Sequence, residues 1–240
     1  KPRVFDARIF IDNAGASQDN NVYPNGWGTV LVAGMRFGGG KIYVDTSVSK
    51  NGGGTPRAMG SAYVVMDITN PEAPPRLLGE IRMPRQGFTT CYPTVMPMAT
   101  QDANSTIGQE NNWFIVFGSG PANANGEPQA TNGTDYRKPA VSAQVGQVYI
   151  LDLKALAAPL TATSPEVRTL ASDGFFDSTR DNPITEANHG AFTTTETTSF
   201  IGDPIAVDLD IGAYPTTNSF RTDAVYFGTV AGDSTIPSGT

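Results

Sequence analysis

Short apolar runs separated by polar, glycine-rich stretches set the pattern of this chain. Residues 26–40 read GWGTVLVAGMRFGGG. The apolar run over residues 29–33 is bounded by glycine on both sides and is rich in β-branched side chains. It is too short for a free-standing helix, so it predicts a buried strand. The form returns twice, as WFIVFGSG over residues 113–120 and as AVYFG over residues 224–228.

The same reading places further strands around these three. In a first group they fall at residues 4–11, 29–34, 62–68 and 76–81, the last edge-like, with polar loops at 12–25 and 47–60. Residues 35–43 continue into a glycine-rich turn and another short strand. The turn signal Thr69-Asn70-Pro71 closes the third strand. A second group has strands at 92–98, 113–117, 147–153 and 167–171. Two prolines in the first of these cannot donate to a ladder. Its connections are long: 99–112, 121–145 and the Thr-rich 172–198. A third group opens at 202–208 and 223–228 and goes no further.

The third strands make the repeat concrete. AYVVMDI (62–68) lies over QVYILDL (147–153), each with Asp one place before its last apolar residue. Copies recur at intervals of about 85 to 110 residues, longer than a usual propeller blade because the loops are long. Four-stranded units repeating in one order predict an all-β chain of β-propeller type, about two and a half blades within a single segment spanning residues 1–240. A β-sandwich with long loops accounts for the strands but not for the recurring order. Two and a half blades do not close a ring, so the expectation is a piece of a larger propeller, or an open arc whose end pairs with another copy. The chain opens in KPRVFDARIF, already a strand, and closes in STIPSGT just after one, which fits an excised piece.

Composition agrees. The 240 residues include 26 Gly and 18 Pro, which favours turns over long helices. The net charge of −7 argues against a partner recognised through its phosphate backbone, so no nucleic acid is expected. An acidic surface is compatible with Ca²⁺ and equally with plain solubility. The single cysteine, Cys91, excludes an internal disulfide and reads as a small buried side chain at the head of a strand. No run is long and apolar enough to span a membrane as a helix.

Taken together, GWGTVLVAGMRFGGGKI, AYVVMDITNPEAP, WFIVFGSGP, QVYILDL and PIAVDLD…TDAVYFGTV resemble the C-terminal β-propeller of the PilC/PilY family. These are bacterial proteins associated with the tip of type IV pili. The resemblance extends over nearly the whole chain and is most specific in the first two blocks. It implies an extracellular or outer-membrane location and a non-enzymatic role in pilus assembly, in the balance of extension and retraction, and in surface attachment. The implied partners are minor pilins at the pilus tip and a host or abiotic surface. A preceding N-terminal region, often of von Willebrand factor A type, is also implied.

The resemblance further implies a Ca²⁺ loop of the form Asp-x-Asp-x-Asp-x-x-x-Asp between the first two strands of a blade. Alternating carboxylates in a tight loop converge their oxygens as a hard cation requires. The matching place is Asp208 and Asp210 through Asp223, with Asn218 as a fourth oxygen donor. Gly212 stands where the third Asp would be, so the loop departs from the pattern. Weaker clusters are Asp102, Asn104 and Glu110, and Asp12, Asn13, Asp19 and Asn20, where turn chemistry is the plainer reading.

Catalysis finds little support. His189 is the sole histidine and reads as a loop residue in EANHG, and no G-x-S-x-G elbow is present. Some propellers bind a quinone and oxidise alcohols, so a quinone-dependent dehydrogenase-like propeller is the alternative from another class. A third is an extracellular scaffold propeller outside the pilus system. Gly38–Gly40 and Gly52–Gly54 lack the Lys-Ser/Thr of a phosphate loop. Trp27, Trp113, Phe37, Phe117 and Phe227 lie in or beside the second strands and are expected between blades. Phe175, Phe176, Phe192 and Phe200 are expected to anchor the long connection.

Overall fold

The computed structural model describes residues 2–12, 15–39, 42–44, 57–83, 85–99, 111–128, 142–157, 189–208 and 222–231. The first sheet uses β1 (Arg3–Arg8) and β2 (Trp27–Gly34). A short side hairpin follows, β3 (Ile42–Val44) with β4 (Arg57–Met59). The sheet is completed by β5 (Tyr63–Asp67) and β6 (Arg76–Ile81), in the order β1-β2-β5-β6. The second sheet takes β7 (Thr94–Ala99), β8 (Asn111–Gly118), β9 (Gln147–Asp152) and β10 (His189–Thr193) in the order β7-β8-β9-β10. Then come β11 (Ser199–Ile201) and β12 (Ile205–Val207), which pair back with β14 (Thr229–Ala231) and β13 (Ala224–Tyr226) respectively. All of these pairings are antiparallel. Among the described residues the chain is all-β apart from a single 3-10 turn and the one-turn helix α1 (Leu153–Ala157).

The register reproduces the repeat read from the sequence. Leu31 lies between Val4 and Met66, and Ile115 lies between Val95 and Leu151. Asp67 faces Val30 as Asp152 faces Phe114. In the third group Val225 faces Ala206. The two Asp residues do the same work. Each accepts from the backbone two residues on, Asp67 from Thr69 N–H at 3.0 Å and Asp152 from Lys154 N–H at 2.8 Å. This side-chain turn ends the third strand.

The third group is one long ribbon rather than two small sheets. Ile201 pairs with Thr229 and Ile205 with Tyr226, so three residues on one strand oppose two on the other. Gly202 N–H still donates to Gly228 O across the gap at 2.8 Å. That is a β-bulge, and it reverses which side of the chain faces inward.

Burial shows how these layers stack. Call the side of sheet 1 carrying Val30, Val32, Tyr63 and Val65 its forward face, and the side carrying Leu31 and Met66 its rear face. The forward face of sheet 1 is buried against Ile115, Phe117, Tyr149 and Leu151, which by register are the rear face of sheet 2. The forward face of sheet 2, with Met96, Val116 and Val148, packs against Ile201, Ala206 and Val225 of the ribbon. Sheet 2 is therefore covered on both sides. An aromatic row crosses the first junction, with Tyr63 and Phe117 ring centroids 4.7 Å apart and Phe117 and Tyr149 5.4 Å apart. Each such ring withdrawn from water contributes about 1.5–3 kcal/mol.

Four expectations need correcting. The fourth strand of sheet 2 is His189–Thr193, within the stretch read as connection; the segment first assigned to it, 167–171, lies outside the described residues. The stretch read as a loop at 47–60 contains β4. Leu153, read as the last residue of the third strand, instead begins α1. His189 begins a strand and pairs with Leu151 rather than sitting in a loop. Pro97 is held within β7, which is tolerable because β7 is the edge of its sheet.

Candidate functional site

The expected cation loop leaves the ribbon at its paired end. Val207 faces Ala224, and Asp223 N–H donates to Val207 O at 3.0 Å. Asp208 follows β12 directly and Asp223 precedes β13 directly, so the two carboxylates flank the neck of one hairpin, both exposed. Asp210 and Asn218, the other two expected donors, lie outside the described residues. Among the described residues no group of three or more His, Cys, Asp or Glu is placed to hold a metal ion.

Of the weaker clusters, Asp102, Asn104 and Glu110 also lie outside the described residues, as does Asn13. Asp12, Asp19 and Asn20 act on backbone. Their oxygens accept from the N–H of Ala16, Asn21 and Asn25 at 2.9, 3.0 and 2.9 Å. That is turn chemistry within the loop before β2.

Asp67 is the most heavily bonded acid here and is only 6% exposed. It accepts from the Tyr23 hydroxyl and the Thr69 hydroxyl, each at 2.6 Å, and Arg76 Nε lies 3.3 Å away. Burial works against its charge, but the bonds from Thr69 and Tyr23 and the Arg76 guanidinium outweigh it and hold the carboxyl below its usual range. The Tyr23 phenol is pushed up to about 12, first by burial and then by the carboxylate it bonds. Tyr23 stacks on Phe10 at 4.2 Å, and Arg76 lies over both rings. The cluster pins the 3-10 turn at Pro24–Gly26 to the end of sheet 1. Every group in it is spent on a neighbour, which makes it a clamp.

Two joints lock the layers. Ser61 and Thr89 hydroxyls meet at 2.9 Å, Thr89 also accepts from Arg36 N–H at 2.9 Å, and Gln86 Nε2 donates to Ser61 O at 3.1 Å. At the other, Cys91 is buried as expected. Its sulfur accepts from Gly118 N–H at 3.1 Å and donates to Gly202 O at 3.5 Å, while Tyr63 donates to its carbonyl at 2.8 Å. Cys91 therefore touches sheet 1, sheet 2 and the ribbon. Burial pushes its thiol up to about 12, which leaves it neutral and unreactive at ordinary pH.

The aromatic expectations divide. Phe117 is fully buried between layers, and Trp113 is half-buried with its ring edge-on to Trp27 at 5.5 Å. Phe37 and Phe227 are largely exposed. Phe192 points to solvent from β10 instead of anchoring a loop; Phe200 is half-buried, and Phe175 and Phe176 lie outside the described residues.

The sequence reading missed an apolar surface on the ribbon, made by Ile205, Tyr226 and Val230, all exposed. Its signal was the third glycine-ended run, AVYFG over residues 224–228. Comparison with protein-family models, curated proteins and solved structures finds no match to this chain.

Proposed function

We propose that this chain is a β-propeller segment acting as a non-catalytic binding scaffold at the tip of a bacterial type IV pilus. In this reading it is extracellular and takes part in pilus assembly, in the balance of extension and retraction, and in adhesion. Minor pilins are the partners on one side and a host or abiotic surface on the other. The observation that carries the reading is the run of blocks from GWGTVLVAGMRFGGG to DAVYFGTV, which resembles the PilC/PilY family in its wording and order. The antiparallel meanders β1-β2-β5-β6 and β7-β8-β9-β10, stacked forward face to rear face, are what blades of such a propeller require. Among the described residues no helix is long and apolar enough to cross a membrane.

Within this proposal Asp208 and Asp223 at the ribbon neck, with Asp210 and Asn218, would hold Ca²⁺. The ion would offset the repulsion between these carboxylates and fix the loop they bracket. The chain's own part is to set Asp208 and Asp223 on either side of one backbone pair. Calorimetric titration is expected to give one saturable Ca²⁺ site that Asp210→Ala abolishes; unchanged affinity in that variant removes the cation from the proposal.

The role itself is tested in a piliated bacterium that carries this gene. Deleting the coding region should reduce surface pili and twitching, and restoring it should bring both back. Normal piliation and motility in the deletion strain would reject the pilus role. Cofactor absorbance with dye-reducing activity in the purified protein would move the reading to a quinone-dependent dehydrogenase.

A further inference from the structure

Asn-Gly pairs stand in the chain at residues 25–26, 51–52, 125–126 and 132–133. Such a pair rearranges without help. The glycine nitrogen attacks the asparagine Cγ, gives up its proton and displaces the side-chain nitrogen as ammonia. Water then opens the five-membered ring at either carbonyl, which leaves Asp or its β-linked isomer. The step needs a glycine nitrogen released from other bonds and swung to the same side as the asparagine Cβ.

The first and third pairs lie among the described residues, and in both the glycine nitrogen is engaged. Gly26 N–H donates to Tyr23 O at 2.8 Å, and Gly126 N–H donates to Asn123 O at 2.9 Å. Asn25 is exposed and sits in the left-handed region at φ 53° and ψ 24°, which turns Gly26 N to the side nearly opposite Cβ. Further bonds fix that posture. Asn25 N–H donates to Asn20 Oδ1 at 2.9 Å, Arg8 Nε donates to Asn25 O at 2.8 Å, and Phe10 N–H donates to Gly26 O at 3.1 Å. Tyr23, whose carbonyl accepts from Gly26, is itself held by Asp67 and stacked on Phe10.

We propose that Asn25 is a site of spontaneous deamidation and that the clamp of Tyr23, Asp67 and Arg76 withholds it. Each local opening of the clamp releases Gly26 N–H and lets Asn25 rotate, so the rate follows the population of the open turn. The change runs one way. A β-linked residue adds a methylene to the main chain, and the buried Gly26 has no slack, since a Cβ there would lie 2.2 Å from Ile11 Cγ2. The modified turn does not close again, and the loop before β2 loses its joint to sheet 1. The inference rests on the turn geometry and is independent of the pilus reading.

Asn125 answers to different contacts and supplies an internal control. Gly126 accepts from Gly87 N–H at 3.2 Å, and a Cβ on it would lie 2.3 Å from Arg85 Cα.

Peptide mapping of the full chain, kept folded at neutral pH, tests the proposal. Conversion at Asn25 should run at least about tenfold slower than in the same chain unfolded in guanidinium chloride, because the clamp must open first. Tyr23→Phe removes one hydrogen bond from the clamp and should speed conversion at Asn25 about 2- to 12-fold while Asn125 keeps its wild-type rate. Asp67→Asn weakens several bonds and should speed Asn25 about 5- to 30-fold. Folded wild-type protein that converts at Asn25 as fast as the unfolded chain overturns the proposal. So does an Asn25 rate that neither variant raises, or an equal rise at Asn125 in Tyr23→Phe, which would mean that the whole fold has loosened.

Discussion

Sheet 2 and the ribbon carry equivalent strands in unequal surroundings. Phe117 in β8 is fully buried, whereas its counterpart Phe227 is 42% exposed. Val116 is buried under Ile201, and its counterpart Tyr226 stands in solvent. Gly118 is pressed by Ile201, and Gly228 is open. The strand type is therefore fixed locally, by a short apolar run ending in glycine. Burial is fixed by what the neighbouring layer brings. A position's pattern predicts its element, and its place in the stack predicts its energy.

The largest difference should come at the paired phenylalanines. Phe117→Ala removes the centre of the aromatic row and should cost about 3–5 kcal/mol in denaturant unfolding, against less than about 1 kcal/mol for Phe227→Ala. Equal losses would break the comparison. The glycines come next. Gly118→Ala drives a methyl into Ile201 and should cost about 1–3 kcal/mol, while Gly228→Ala should stay within about 0.5 kcal/mol. The smallest effect concerns the strand-ending acids. At neutral pH, Asp67→Asn weakens the bonds from Tyr23, Thr69 and Arg76 and should cost about 1–2 kcal/mol. The native carboxyl is held below its unfolded value, so its contribution is complete above that value and fades as pH falls through the native one. The gap between wild type and Asp67→Asn should therefore close in acid, below about pH 4. A gap independent of pH would mean that the charge at Asp67 is not what the clamp uses.

Much of this was legible in the sequence, for identifiable reasons. Strands with strong apolar runs, such as TVLVA and VYILDL, were placed within a residue or two, because burial on one or both faces writes itself into composition. β6 came out as Arg76–Ile81, as expected. The repeated Asp was seen before its turn-closing bond was known. The strands that escaped, Arg57–Met59, His189–Thr193, Ser199–Ile201 and Thr229–Ala231, are short or edge elements; Phe192 faces water. Their pairing is dictated by the neighbour they complete. The open ribbon face was hidden for the complementary reason. Tyr226 and Ile205 look like core residues in sequence, and only the stacking order shows that they stand on the side of the ribbon away from sheet 2.

Residue-resolved hydrogen exchange tests the central claim, that the middle layer is held from both sides and the ribbon from one. In dilute monomer, amides of Ile115, Phe117, Val148 and Leu151 should exchange only through global unfolding. Those of Val225 and Tyr226 should exchange through local opening at distinctly lower free energy. Equal protection in the two regions would contradict the account.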